Sequence, residues 1–235
     1  MHFTHLSAGF MAALSLAIPA AAAPQAGTNE TVAVVPCDPI DKYTTSWFLG
    51  NVCKRPPAAT CLFYTRGLSR AARIFSKSNG ADMTTIWEMW ATSLYNNRIV
   101  TSNPLRCIMQ DKPLRRQYFA AMSESMAIMC DVFATVMDPN PASPREDGIW
   151  GQTEFPTLKQ SGNEGCVNSV AGTNPDGTEV HTIWTRPGIG CASAKKKMVR
   201  RDALTVLQAR QDSCGIENDD VAAQFDEGGE FEVDW

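Results

Sequence analysis

Eight cysteines, all beyond the first 36 residues, restrict the folds open to this chain of 235 residues. An even number of cysteines predicts up to four disulfides when the chain folds in an oxidising compartment. Zinc sites are typically built on close pairs such as C-x-x-C, and no two of these cysteines are that close. The chain is therefore predicted to be disulfide-stapled. Its cysteines are Cys37, Cys53, Cys61, Cys107, Cys130, Cys166, Cys191 and Cys214.

The N-terminus predicts export. Leu6 to Ala20 is an apolar run with the length of a signal-peptide core, too short to span a bilayer, although few positive charges precede it. Small residues follow, and cleavage after Ala22 avoids Pro24. The alternative, a buried helix of a cytosolic domain, fits poorly with the cysteines. We expect a signal peptide over 1–22 and a secreted, extracellular protein with no membrane span.

Composition limits the partners of the mature chain. A net charge of −4 argues against nucleic acid, because phosphate binding needs a basic face. Three histidines, two of them in the signal segment, imply no metal site. Asn29 begins an N-glycosylation sequon. Residues 23–214 are expected to form the folded domain, and 215–235, with eight acidic residues and no Lys or Arg, a disordered tail.

Hydrophobic patterns in the first half predict short strands and helices. Cys61 to Arg66 is a buried strand that ends in a turn. Ser69 then caps a helix that closes at Asn79-Gly80, and another helical stretch opens at Thr84 or Thr85. The longest helical pattern runs from Leu114 to Met137, and its methionine stripe is predicted to be core.

The second half is rich in glycine, proline and polar residues between 143 and 190. It contains two predicted strands, Cys166 to Val170 and Val180 to Thr185. A helix is then predicted between Cys191 and Cys214.

One loop, 147–158, places Glu154 just after the pair Trp150-Gly151. Glycine lets backbone N–H groups approach a ligand, tryptophan offers a stacking surface, and a carboxylate stabilises developing positive charge. The alternative is a solvent-exposed loop glutamate. A catalytic triad lacks support, because the sole histidine after the signal segment, His181, lies in a predicted strand.

Five segments, spread over about 58–214, follow one another in a recognisable order and spacing. They are Tyr64-Thr65-Arg66, Thr85-Ile86-Trp87-Glu88, Phe119, Cys130-Asp131-Val132 and Trp150-Gly151-Gln152-Thr153-Glu154-Phe155-Pro156-Thr157-Leu158. This order resembles the animal ADP-ribosyl cyclase family, secreted or ectodomain enzymes that convert NAD to cyclic ADP-ribose and ADP-ribose. In that family the Cys-Asp-Val sequence belongs to a long helix. The resemblance implies an NAD glycohydrolase with NAD as substrate and no cofactor.

The resemblance also implies site residues. Glu154 would be the catalytic residue that stabilises the ribosyl cation. Thr65 and Arg66 would contact the pyrophosphate, together with the backbone of Trp150 and Gly151. A surface charge at the entry of a helix is the alternative for Arg66.

Three aromatic positions carry the remaining implied contacts. Tyr64 and Phe119 would flank the nicotinamide, where the family usually has tryptophans, although either could equally be core. At Trp87-Glu88 the family has two adjacent acids; the resemblance implies that Glu88 takes the second acidic position at the substrate and that Trp87 replaces the first. Trp87 cannot accept the hydrogen bond of the first acid, so the ratio of cyclic to linear product stays open; plain core is the alternative for Trp87.

By the same resemblance we expect a two-lobed α/β (α+β) fold with the active site between the lobes. A helical lobe would be drawn from about 24–57 and 81–129, and a lobe with a short, mainly parallel sheet from about 58–80 and 130–214. The implied disulfides are Cys61–Cys130, Cys191–Cys214 and Cys37–Cys53, which leaves Cys107 for Cys166. The alternative function is a non-catalytic secreted protein that binds a host or cell-surface partner.

Overall fold

A four-stranded sheet organises the described part of the chain, residues 34–78, 83–160, 164–188 and 191 of a computed structural model. The strands lie side by side in chain order: β1 (Cys61–Tyr64), β2 (Val132–Met137), β3 (Val167–Thr173) and β4 (Val180–Thr185). β1 and β2 pair in parallel, as do β2 and β3, while β4 is antiparallel to β3. The predicted α/β fold with a short, mainly parallel sheet is confirmed. The division into two lobes stays a prediction.

Five α-helices and three 3-10 turns surround the sheet within the described ranges. The 3-10 turns cover Ile40–Lys42, Ile86–Glu88 and Thr92–Tyr95. The stretch that opens at Thr84 or Thr85 is therefore a pair of 3-10 turns. No helix in these ranges is both long and apolar enough to cross a bilayer. The helices are α1 (Thr45–Gly50), α2 (Ser69–Ser78), α3 (Arg106–Gln110), α4 (Lys112–Met129) and α5 (Phe155–Lys159).

Several predictions fall outside the described residues. These are the signal peptide over 1–22, the glycosylation site at Asn29, the helix that precedes Cys214, and the acidic tail over 215–235.

The helical pattern predicted over Leu114 to Met137 is two elements. α4 ends at Met129, Cys130 has extended backbone angles, and Val132 has a positive φ of 70°. The residues from Val132 onwards form β2, so the expectation that Cys130-Asp131-Val132 lies inside a long helix is wrong. β-branched residues dominate this stretch and pack well in a pleated sheet.

The predicted methionine stripe is core, as expected. Met122 and Met126 of α4 are fully buried, and Met129 is 5% exposed. They belong to a cluster in which α4 packs with the sheet and with a group of buried aromatic side chains. Those aromatic residues are Tyr43, Phe48, Trp90, Tyr95 and Tyr118.

The structure confirms one implied disulfide and corrects three. Cys61 is bonded to Cys130. Cys37 is bonded to Cys107, and Cys166 to Cys191. The implied pairs Cys37–Cys53, Cys107–Cys166 and Cys191–Cys214 are therefore wrong. Cys53 is itself disulfide-bonded.

Backbone contacts explain the observed pairing. The Asp38 N–H donates to the Pro104 carbonyl at 2.9 Å, which places Cys37 beside Cys107. The Cys191 N–H donates to the side chain of Asn168 in β3 at 2.8 Å, which holds Cys191 near Cys166.

Gly172 tests the packing behind the carboxyl end of the sheet. A Cβ at Gly172 would lie 1.9 Å from the Pro141 carbonyl oxygen, whereas a Cβ at Gly50 would meet nothing within 4 Å. We expect Gly172→Ala to lower the free energy of unfolding by about 1–3 kcal/mol, as measured by urea denaturation. Gly50→Ala, the matched control, should stay within about 1 kcal/mol of wild type. Equal stabilities for the two variants would contradict this packing.

Candidate active site

A pocket lies at the carboxyl ends of β1 and β2, where open α/β sheets commonly bind ligands. Its cavity volume is about 20 Å³, room for about one ordered water molecule. Five residues singled out in the sequence line it, and six others join them. The first set is Tyr64, Thr65, Arg66, Trp150 and Glu154; the second is Ile86, Ser123, Arg145, Asp147 and Ile149, with the backbone of Gly148 between the last two.

Glu154 is carried by a helical turn and not by the predicted loop. Trp150–Glu154 form a π-helical turn that runs directly into α5. Pro156 lies in the first turn of α5 and has no N–H, so it cannot donate a helical hydrogen bond back to the π-helical turn. π-helical turns recur at functional sites.

Close packing holds this turn against the sheet. The Trp150 ring stacks on Phe155, with centroids 5.1 Å apart, and lies 5.7 Å from Phe63 of β1. Gly151 passes so near the preceding chain that an added Cβ would lie 2.3 Å from the Glu146 Cα. The glycine is therefore required by backbone packing, and the Trp150 indole acts as part of the core.

The Glu154 carboxyl is buried inside this frame. Its side chain is 5% exposed, which rules out the alternative of a solvent-exposed loop glutamate. Burial raises its pKa to about 8, and a hydrogen bond from Ser123 of α4 lowers it. The second carboxyl oxygen, Oε2, is buried and has no hydrogen-bond partner among the described residues. Such a group is costly in a merely structural role, so it is a candidate for chemistry.

Tyr64 brings a second buried polar atom to the pocket. Burial raises the pKa of its hydroxyl; Ser69 and Trp87 lower it, while the Glu154 and Glu88 carboxyls raise it. The hydroxyl is buried and reaches no partner with hydrogen-bonding geometry in the described ranges. Tyr64 therefore keeps its proton near neutral pH and can donate it to a ligand in a hydrogen bond.

At the rim, three polar residues form a network that links β1 and β2. The Thr65 hydroxyl donates to Asp138 Oδ2 at 2.5 Å. Arg145 donates to Thr65 Oγ1 at 3.2 Å and to the Arg66 carbonyl oxygen at 2.9 Å, and its Nε lies 3.4 Å from Asp138 Oδ2. Asp138, at the end of β2, is 1% exposed.

Two members of this network, Asp138 and Arg145, are not among the site residues predicted from the sequence. Asp138 looks like a helix terminator beside Pro139, and Arg145 lies in a segment rich in proline and polar residues. The position of Asp138 in the sequence could have identified it, because a polar residue directly after an apolar strand lies at the sheet edge where ligands bind.

Four other predicted residues are not among those that line the pocket. Glu88 accepts hydrogen bonds from the N–H and hydroxyl of Thr85, at 2.7 and 2.6 Å, and so caps the 3-10 turn. Phe119 is 2% exposed and belongs to the core cluster. The Trp87 ring is half-buried, 6.1 Å from the ring of Phe119. Gly151 packs on Glu146, as described above.

Comparison with known proteins adds one likeness. No protein-family model matches the chain, and no curated protein matches it. A solved structure of an ADP ribosyl cyclase complexed with N1-cIDPR is similar over 55% of this chain and 54% of that one, with 17% identity and a TM-score of 0.38. The match thus spans about half the length of that enzyme. The function has to rest on the geometry of the site itself.

Glu154→Gln should stabilise the protein increasingly as the pH rises. The pKa of Glu154 rises from 4.5 to about 8 on folding, so the folded state holds the proton more tightly than the unfolded state. The stability that this proton contributes is fully present below about pH 4.5 and is lost as the pH rises through 8. Gln keeps the shape without the charge. We expect the variant's gain in unfolding free energy to grow by up to about 1.4 kcal/mol per pH unit across this window.

Urea denaturation between about pH 5 and pH 8.5 measures this gain. Glu179→Gln, at an exposed carboxylate, is the control and should show a constant difference from wild type. A constant difference for Glu154→Gln as well would mean that Glu154 ionises within the fold at little cost.

Proposed function

We propose that this protein cleaves the N-glycosidic bond of NAD, releasing nicotinamide and forming cyclic ADP-ribose, ADP-ribose or both. The observation that carries the proposal is the buried Glu154 carboxyl, whose Oε2 has no partner in the described ranges. It lines the same pocket as Arg66 and Arg145. A carboxyl and two guanidinium groups around one pocket suit a substrate with a cationic ribosyl centre and a diphosphate.

The charge of the reacting centre explains how Glu154 would act. As nicotinamide leaves, positive charge develops on the ribose, and a carboxylate in a water-poor pocket stabilises that charge strongly. The nicotinamide ring of NAD is itself a cation, so its arrival favours the ionised form of Glu154. Attack of water on the ribosyl cation gives ADP-ribose, and attack of the adenine ring gives the cyclic product.

The other predicted contacts belong to this proposal. Tyr64 lies beside Glu154 and would contact the nicotinamide end, with Trp87 and Phe119 behind it. Thr65 and Arg66 would lie at the pyrophosphate, near the backbone of Trp150 and Gly151. Glu88 would act through the turn that it caps.

NAD binding requires the pocket to open. A cavity of about 20 Å³ is far smaller than the several hundred Å³ of a typical small-molecule site. Arg66 is exposed, and the Arg145 side chain is 47% exposed. The exposed Arg66 side chain can move aside without disturbing the core, while Arg145 keeps its contacts with Asp138 and Thr65.

An oxidising location also fits this proposal. Disulfides persist in secreted proteins and are rare in the cytosol, and three are present within the described ranges. We propose that the enzyme is secreted and acts on extracellular NAD.

Chromatography of products after incubation with NAD tests the proposal directly. We expect nicotinamide release by the wild type, and a loss of at least about 10²-fold in kcat/KM for Glu154→Gln, because the carboxylate stabilises charge in the transition state. Glu179→Gln should remain as active as wild type. Inert wild-type protein would sink the enzyme hypothesis and favour a binding role. Equal activity in Glu154→Gln would move catalysis to another residue.

Trp87→Glu tests whether this position sets the product ratio. It restores an acid where the resemblance implies one, close enough to affect the pKa of Tyr64. We expect the ratio of cyclic ADP-ribose to ADP-ribose to change by about threefold or more, which corresponds to about 0.7 kcal/mol in relative barrier height. Trp87→Gln controls for the loss of the ring. The same ratio in both variants and wild type would count against this alignment.

A further inference from the structure

Arg145 lies at the rim of the candidate pocket with one side of its guanidinium held and the other open. Nε lies 3.4 Å from Asp138 Oδ2, and Nη2 donates to Thr65 Oγ1 and to the Arg66 carbonyl oxygen. Nη1 makes no hydrogen bond to the described residues. The fork is therefore fixed in place with two N–H donors still available at the pocket.

Asp138 is the anchor of this arrangement. Its Oδ1 accepts from the Asn140 N–H at 2.7 Å, and its Oδ2 accepts from the Arg145 N–H at 3.3 Å and from the Thr65 hydroxyl at 2.5 Å. A buried carboxylate bonded on both oxygens cannot easily turn. It therefore holds Arg145 in one orientation before any ligand arrives.

These contacts change the role expected for Thr65. The hydroxyl has one proton, which it gives to Asp138, and its oxygen already accepts from Arg145. Thr65 is also only 4% exposed. It cannot donate to a phosphate without breaking the bond that orients Arg145.

We infer that Arg145 binds a phosphate of a diphosphate-bearing ligand, with Thr65 and Asp138 as positioning residues that orient its guanidinium. The inference deepens the proposed function and rests on it for identifying that ligand with NAD. The guanidinium is charged and fixed, and its two Nη1 N–H groups, free within the described ranges, can donate charge-assisted hydrogen bonds to phosphate oxygens. Arg66 and Arg145 are adjacent at the rim, so the pair can serve the two phosphates of a diphosphate.

The other charges of the pocket determine where the anion binds. Asp147 also lines it and repels phosphate, as does Glu154 once it is ionised. The diphosphate therefore binds at the arginine end, and the cationic part of the substrate lies toward Glu154. Arg145 then contributes to selection of a dinucleotide over a nucleoside such as nicotinamide riboside, which has no phosphate.

Titration calorimetry with inorganic pyrophosphate tests binding without any turnover. We expect Arg145→Met to weaken pyrophosphate binding by about tenfold. Arg145→Lys keeps the charge but loses the guanidinium, so its affinity should lie between those of the wild type and Arg145→Met. Arg98→Met is the matched control, because Arg98 is exposed and outside the pocket; it should change binding by less than about twofold.

Three results of that titration would overturn the inference. The first is undiminished binding in Arg145→Met, and the second is an equal loss of binding in Arg98→Met. The third is no detectable binding of about 10 mM pyrophosphate to the wild type, which corresponds to a binding free energy weaker than about 3 kcal/mol.

The positioning role of Thr65 has its own test. Thr65→Val removes the hydroxyl that links Arg145 to Asp138, so pyrophosphate binding should weaken, and Thr65→Ser should restore it. Equal binding in the two variants would refute the role.

Turnover separates this inference from the proposed function. The ratio of kcat/KM for NAD to that for nicotinamide riboside should fall by about tenfold in Arg145→Met. An unchanged ratio alongside normal NAD cleavage refutes the inference alone. A wild type that cleaves neither substrate but binds pyrophosphate through Arg145 refutes the proposed function and leaves the phosphate site standing.

Discussion

The bond between Cys61 and Cys130 sets the geometry on which the site depends. Cys61 opens β1, and Cys130 lies between α4 and β2, so the disulfide ties together the starts of two parallel strands. Closing a loop with a sequence separation of 69 residues restricts the unfolded chain, a contribution of about 4 kcal/mol in the chain-entropy description. Because the strands are parallel, their far ends, Tyr64 and Met137, also lie side by side. The pocket forms where they end.

Glu154, by contrast, destabilises the fold locally, and stabilising contacts around it offset that cost. Burial of an ionisable side chain without a full set of partners is unfavourable, yet the turn that carries it is held by the stack of Trp150 on Phe155 and by close backbone packing at Gly151. Stability elsewhere thus maintains an electrostatic environment that would otherwise relax. Rules of local stability are most often broken at sites of this kind.

Local patterns predict much of this fold, and they fail for identifiable reasons. Short apolar or β-branched runs bounded by turn residues suffice for β1, β3 and β4. At the junction of α4 and β2, apolar residues satisfy helical spacing as well as strand burial, so the boundary is not visible in the pattern. Disulfide partners depend on which distant segments meet. Asp138 and Arg145 escape notice for the same reason, because their role exists only once β1 and β2 are neighbours, whereas Glu154 carries a local sequence signature.

The π-helical turn also bears on how the chain tolerates changes in length. Glu154 faces the buried pocket, while its neighbours Gln152 and Thr153 line an open groove between α4 and α5. Successive residues of a helix are rotated by about 100°. Deletion of one residue within the turn would therefore swing the carboxyl out of the pocket and bring an amide or a hydroxyl toward it. The number of residues between Trp150 and α5 therefore determines whether a carboxyl faces the pocket, just as the identity of residue 154 does.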